Sequence, residues 1–265
     1  MSKYIASVSF GKDSLATLLM ILEKGYPLDE VVFYDTGMEF QAIYNIRDKV
    51  IPLLAEKGIK YTELKPDRPF LYDMLERPKI KRTGEKVCGD GWCGGACRWG
   101  TFAKQRALNQ YCGTNTTYIG LAIDEENRLQ NLEPHKKSPI AELGMTESDC
   151  LQCCYDKGFN WLEKADITES GCIDLYSILD RVSCWCCANK NAWELWNIWK
   201  YLPQYWEQLK ELQSKIDRPM KKFCNKKFSE YGNVFELEKV FESGYVPKHR
   251  KTHNKIAIQT IKERF

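Results

Sequence analysis

Ser9-Phe10-Gly11-Lys12-Asp13-Ser14 follows directly on the apolar run Tyr4-Ile5-Ala6-Ser7-Val8 and leads straight into Leu15-Ala16-Thr17-Leu18-Leu19-Met20-Ile21-Leu22. A short apolar run, a small-residue turn and a helical apolar stripe read as strand, loop and helix. Such a loop leaves backbone N–H groups at a helix N-terminus without intrahelical partners, and the helix dipole favours an anion there. Lys12 adds a point charge, Ser14 a hydroxyl donor, and Gly11 lets a ligand approach the backbone. Asp13 beside an anion calls for a metal or a loop amide to hold. From the loop alone, an ordinary turn capped by Asp13 or Ser14 reads the same way. The chain contains no Gly-x4-Gly-Lys-Ser/Thr, so this is not the Walker pattern.

The second strand, Glu30-Val31-Val32-Phe33-Tyr34, ends in Asp35-Thr36-Gly37-Met38-Glu39. In open α/β sheets ligands collect beyond the carboxyl ends of parallel strands, so this turn lies beside the first loop. Together the two turns resemble the signatures of the N-type ATP pyrophosphatases and phosphoadenylyl-sulfate (PAPS) reductases: a modified P-loop, Ser-Gly-Gly-x-Asp-Ser, and a strand ending in Asp-Thr-Gly-x-Glu. Phe10 stands at the first glycine of that loop, which implies a slightly different turn there. The resemblance implies a Rossmann-like open parallel sheet of the adenine nucleotide alpha hydrolase type over residues 1–145. It also implies ATP or a PAPS-like adenine nucleotide with Mg2+, held by Ser9, Phe10, Gly11, Lys12, Asp13, Ser14, Asp35, Thr36, Gly37 and Glu39. Lys12, Asp13 and Asp35 become the catalytic candidates.

Residues 41–57 carry a helical stripe that Pro52 is expected to bend, and Lys60-Tyr61-Thr62-Glu63-Leu64 completes a right-handed βαβαβ unit. The loop 65–86, rich in Pro, Arg and Lys, suits a lid over an anionic substrate. Cys88, Cys93 and Cys97 then precede Arg98-Trp99-Gly100-Thr101 and Lys104. Their spacing is not that of a zinc knuckle, which leaves metal ligation and plain reduced thiols both open. By resemblance Arg98, Thr101 and Lys104 are phosphate-side residues, with Gly100 where the family commonly has a cysteine. A fourth strand, 116–122, leads into Ile123-Asp124-Glu125-Glu126-Asn127-Arg128. Gly120, Asp124, Glu125 and Arg128 match a family segment whose first basic residue is Ala122 here. An acidic pair with an arginine suits polyphosphate or magnesium, and a plain acidic helix start looks identical. Lys137-Ser138-Pro139-Ile140 resembles a short closing strand.

The second half is cysteine-rich. Twelve cysteines in 265 residues, with a large core and no expected signal peptide or membrane segment, suit a cytoplasmic protein whose thiols bind metal rather than form disulfides. Residues 146–217 read as a mainly helical lobe carrying Cys150, Cys153, Cys154, Cys172, Cys184, Cys186 and Cys187. Cys-x-x-Cys spacing lets one turn present two sulfurs to an ion, or form a redox dithiol. We expect one site from Cys150, Cys153, Cys184 and Cys187, holding a 4Fe-4S cluster or Zn2+. The segment Arg181-Val182-Ser183-Cys184 also resembles PAPS-reductase-like proteins of mobile elements and DNA-phosphorothioation systems, whose cysteines go with such a group. An aromatic stripe including Trp193, Trp196, Tyr201 and Trp206 reads as core, divided by Pro203 into two helices. Residues 218–265 form a basic extension, with 12 Lys/Arg against 5 Asp/Glu in a chain of net +3. That permits nucleic acid as an acceptor and equally describes a solvated surface.

Three functions follow. The first is an adenylating enzyme that releases pyrophosphate and transfers sulfur. The second is a sulfonucleotide (PAPS or APS) reductase, for which Cys224 among its lysines is the remaining C-terminal thiol. The third is a non-enzymatic module that binds nucleotide and metal.

Overall fold

Alternation along the first two strands decides the layering. Ala6, Val8, Val31 and Phe33 enter the large core, whereas Ile5 and Val32 join Cys112, Leu64 and Leu108 on the opposite face. Both faces of the sheet are thereby covered, as a parallel sheet requires. A computed structural model describes residues 2–93, 95, 97–221 and 232–249. Lys222, Cys224, Lys226, Lys227, Arg250, Lys251 and the segment 252–265 of the basic extension lie outside these residues.

The chain begins β1 (Tyr4–Ser7), α1 (Lys12–Lys24), β2 (Glu30–Tyr34), α2 (Gln41–Glu56), β3 (Lys60–Leu64). Gly25 closes α1 in the left-handed conformation, a common helix terminator. Pro52 lies inside α2. Where a lid loop was expected, the chain makes a π-helical turn, Tyr72–Glu76, and an antiparallel hairpin, β4 (Pro78–Ile80) with β5 (Lys86–Cys88). A second π-helical turn, Arg98–Phe102, runs into α3 (Ala103–Cys112), then β6 (Thr116–Tyr118), α4 (Glu126–Leu129) and β7 (Lys136–Lys137). The main sheet has the order β3-β2-β1-β6-β7, with every pairing parallel. The chain steps from β1 outward to β3, then returns to add β6 on the other side of β1. The crevice between the carboxyl ends of β1 and β6 is the topological switch point, where open α/β sheets bind ligands.

Beyond the sheet come α5 (Pro139–Glu142), α6 (Glu147–Asp156), the hairpin β8 (Leu162–Lys164) and β9 (Cys172–Asp174), α7 (Leu175–Ile178), α8 (Ala192–Tyr201), α9 (Pro203–Ser214) and α10 (Val234–Glu242). The expected closing strand at Pro139-Ile140 is a correction. β7 ends at Lys137, and Pro139 opens α5 because proline's fixed φ and missing N–H suit a first helical turn. Thr146 starts α6 through a reciprocal capping box with Asp149. Pro203 does divide the aromatic stretch into α8 and α9. The deeply buried face there is Leu195, Ile198, Leu202, Trp206 and Leu209, while Trp193, Trp196 and Trp199 are half-buried on its flanks. One continuous apolar core joins these helices to the sheet.

Candidate functional site

The first loop holds its shape with its own polar side chains. Ser14 Oγ accepts from Ser9 N–H at 3.1 Å and donates to the Gly11 carbonyl at 3.1 Å. Lys12 Nζ is turned inward, 2.8 Å from Asp13 Oδ1 and 2.7 Å from Glu147 Oε2 on α6. Burial alone would lower the Lys12 ammonium, but Asp13 and Glu147 outweigh it and raise it, so Lys12 stays charged. Burial pushes the Asp13 carboxyl up against the pull of Lys12. Lys12 and Ser14, both expected at the phosphate, brace the loop through these contacts. Gly11, at the helix N-cap, offers no side chain to the first-turn amides; Lys12 N–H goes to the Tyr176 hydroxyl, which leaves those of Asp13 and Ser14 for an anion.

Phe10 departs from expectation too. Its backbone sits in the left-handed region at φ 58, the conformation a glycine takes without cost. The ring is wholly buried, edge-on to Phe33 at 5.1 Å. Phenylalanine thus keeps a glycine-type turn, and its packing offsets the strain.

The cysteine-rich half clamps both loops. Trp161 Nε1 donates to the Phe10 carbonyl at 2.8 Å, and the Tyr176 hydroxyl accepts from Lys12 N–H at 2.8 Å. Cys154 Sγ donates to the Lys12 carbonyl at 3.4 Å. In the second loop, Asp35 Oδ1 accepts from Gly37 N–H at 2.8 Å and from the Tyr44 hydroxyl at 2.7 Å, which fixes the turn. The start of α2 lacks a cap of its own, and Glu163 and Tyr205 provide one. Glu163 Oε1 accepts from Ala42 N–H at 2.8 Å and the Tyr205 hydroxyl from Gln41 N–H at 2.9 Å. Trp185 N–H donates to the Met38 carbonyl at 3.0 Å. No spacing in the sequence announces these braces.

Beside β1 and β2 lies a cavity of ≈ 380 Å³. Ser9, Thr36, Glu39, Thr101 and Lys104 line it together with Cys93, Cys97, Cys184, Cys186 and Cys187. Cys184 and Cys187 form a tight turn, with Cys187 N–H 3.0 Å from the Cys184 carbonyl. Burial raises the Cys184 thiol, and Glu39 adds to it. Burial also raises the Glu39 carboxyl, with Lys104 opposing. Cys97 Sγ lies 3.2 Å from where a Cβ on Gly100 would be, so a sulfur stands beside the position at which the resembled pattern carries cysteine.

Of the four thiols expected to share a site, Cys184 and Cys187 stand on one turn. Cys150 is fully buried on α6, which packs along α1, whereas Cys184 and Cys187 line the cavity with Cys93 and Cys97. Among the described residues, no group of three or more His, Cys, Asp or Glu side chains is arranged around one ion. The signal for Cys93 and Cys97 was present in the sequence: two cysteines immediately upstream of the phosphate-side segment.

The remaining candidates divide between two other hollows. Asp124, Glu125 and Arg128 line one of ≈ 360 Å³ with Glu147 and Arg181. Glu147 N–H donates to Asp124 Oδ1 at 3.1 Å, linking this hollow to Lys12. Arg98 faces a separate, basic cleft. Gly120 touches neither hollow; it packs on the first loop, where a Cβ would fall 2.6 Å from Ser14 N.

Residues 3–70 match the family model of the phosphoadenosine phosphosulfate reductase domain. An uncharacterized protein of Methanocaldococcus jannaschii is 26% identical over 213 residues, covering 77% of this chain and 40% of its own length. The chain thus spans well under half of that relative. The U34-tRNA thiolase NcsA of Methanococcus maripaludis, solved with its 4Fe-4S cluster, is 13% identical, with 89% of this chain and 80% of that chain covered at a TM-score of 0.41. Among the described residues no helix is long and apolar enough to cross a membrane.

Proposed function

We propose that the chain is an adenine-nucleotide-dependent enzyme that activates an acceptor as its adenylate and then replaces the activated oxygen with sulfur. The observation that carries this reading is the cavity in which Thr36 and Glu39, from the nucleotide-type turn of β2, face Cys184, Cys186 and Cys187. An acceptor oxygen attacks the α-phosphorus of ATP, the bond to the β-phosphate oxygen breaks, and pyrophosphate leaves. Hydrosulfide sulfur then bonds to the activated atom, and the acceptor oxygen departs with AMP; no electrons change hands. First-turn amides of α1 would hold phosphate oxygens, and Lys104 would neutralise charge.

Asp124 and Glu125, which line one hollow, offer oxygen donors of the kind magnesium takes. Such an ion usually takes one or two carboxylates, several waters and the substrate phosphates, so a ready-made cage is not required. The thiol cavity brings five cysteines to one hollow. Of these, Cys93, Cys97, Cys184 and Cys187 would hold an iron–sulfur group, which would supply a place to carry sulfide. Pyrophosphate release from ATP by the full chain, with magnesium and hydrosulfide present, tests the reading, and absence of any ATP binding overturns it. Sulfonucleotide reduction is the second reading, favoured by the family match over residues 3–70. Sulfite released from PAPS in the presence of a dithiol would replace the first reading with it.

A further inference from the structure

The basic cleft at the sheet's edge has a volume of ≈ 610 Å³ and opens between the loop after β3, the turn Arg98–Phe102 and α3. Lys65, Arg68, Arg98 and Arg106 line it, all exposed. Lys65 pairs with Glu63 at 3.1 Å, and Arg68 lies over the Tyr72 ring at 5.0 Å. Neither Arg98 nor Arg106 has a carboxylate in ion-pair range among the described residues. Two carboxylates, Asp67 and Asp73, also border the cleft, and Asp73 is engaged with Arg77 at 3.8 Å. Phe102 stands at the rim with 54% of its surface exposed. Phe70 is shared between this cleft and the thiol cavity.

We infer that this cleft binds single-stranded nucleic acid along its phosphates. Unpaired guanidinium groups are planar forks that match phosphate oxygens two at a time, and holding several together unpaired is costly unless an anion joins them. An exposed aromatic ring beside them is a stacking platform for a base, which a free phosphate or a sulfate would not use. Because the basic side chains are exposed rather than enclosed, a strand can lie across them. The shared Phe70 wall sets a bound nucleotide next to the thiol cavity, so the cleft extends the sulfur-transfer reading to a nucleic-acid acceptor; that extension rests on the proposed function, while strand binding does not.

The test is fluorescence anisotropy of a labelled single-stranded oligonucleotide with the full chain, over a series of salt concentrations. Arg68→Ala/Arg106→Ala is expected to weaken binding roughly tenfold or more and to flatten the log–log salt dependence by about 1.4, the loss of two phosphate contacts. Phe102→Ala is expected to weaken it roughly tenfold with the salt slope unchanged. Thermal unfolding of each variant verifies that these exposed changes leave the fold intact. Wild-type affinity in the Arg68→Ala/Arg106→Ala variant overturns the inference, because the binding then belongs to another surface. Displacement of the strand by adenosine 3′,5′-bisphosphate as effectively as by unlabelled oligonucleotide overturns it in favour of a small-nucleotide site. Strand binding without pyrophosphate release would leave the cleft standing and remove the proposed reaction.

Discussion

Cys184 Sγ lies 3.6 Å from Thr36 Oγ1, across 148 residues of sequence. Glu39 Oε1 is 3.9 Å from the same sulfur. This contact joins the cysteine-rich half to the turn that ends β2. Burial, with Glu39 adding to it against the pull of Lys104, holds the Cys184 thiol protonated in the metal-free chain. After anaerobic purification, we expect iron and sulfide content to follow Cys93, Cys97, Cys184 and Cys187. Cys184→Ser should empty the chain of metal, whereas Cys150→Ala and Cys153→Ala should retain it. Metal lost on the α6 substitutions as well as in Cys184→Ser, and kept when Cys93 or Cys97 is replaced, would restore the set read from the spacing.

Gly120 sits where β6 passes closest to the first loop. A Cβ there would lie 2.6 Å from Ser14 N and 2.7 Å from the Asp13 carbonyl carbon, both backbone atoms. The loop must shift to admit it, and a displacement of about 1 Å at such a site costs roughly 100-fold. Gly120→Ala should therefore weaken ATP binding at least about tenfold by calorimetric titration. Gly11→Ala should do much less, since its Cβ would meet only side-chain atoms, the Tyr176 hydroxyl at 3.3 Å and Ser9 Oγ at 3.7 Å. Equal effects would mean that the loop's position does not govern binding.

Phe10 sets two effects against each other. Relief of a left-handed backbone is worth about 1–2 kcal/mol, and truncating a buried phenylalanine costs about 3–5 kcal/mol. Packing wins, so Phe10→Gly should lower unfolding stability by about 1–4 kcal/mol in urea titration. A gain in stability would show that the ring is not what holds this turn.

The alternation of apolar runs, the two signature turns and Pro203 carry the sheet order's first half and the paired helices, because each is a local property of the chain. What escaped the sequence is non-local. Glu147 reaches Lys12 across 135 residues, and Trp161 reaches Phe10 across 151. Residue type marks Lys12 and Ser14 as phosphate groups, but neighbours brought by α6 turn Lys12 inward. Cysteine spacing identifies which thiols can share a turn, as Cys184 and Cys187 do, and is silent on which turns meet. Pro139 reads as extended chain until the preceding strand is seen to stop two residues earlier.

Glu30 ties three elements together at the base of the sheet. Its carboxylate, 3% exposed, accepts from Thr62 Oγ1 at 2.5 Å, Lys60 Nζ at 2.8 Å and the Tyr111 hydroxyl at 2.5 Å. Burial alone would raise the Glu30 carboxyl, but these donors together hold it below the ordinary glutamate value of 4.5. With its folded value depressed, Glu30 contributes stability above pH 4.5 that is lost as pH falls through the folded value. Glu30→Gln replaces one acceptor oxygen with a donor facing donors and should cost about 1–3 kcal/mol at neutral pH. In acid the wild-type carboxyl takes up a proton and loses the same advantage, so the two unfolding curves should converge below the ordinary glutamate range. A difference that persists unchanged into acid would assign the loss to packing rather than to the carboxylate's charge.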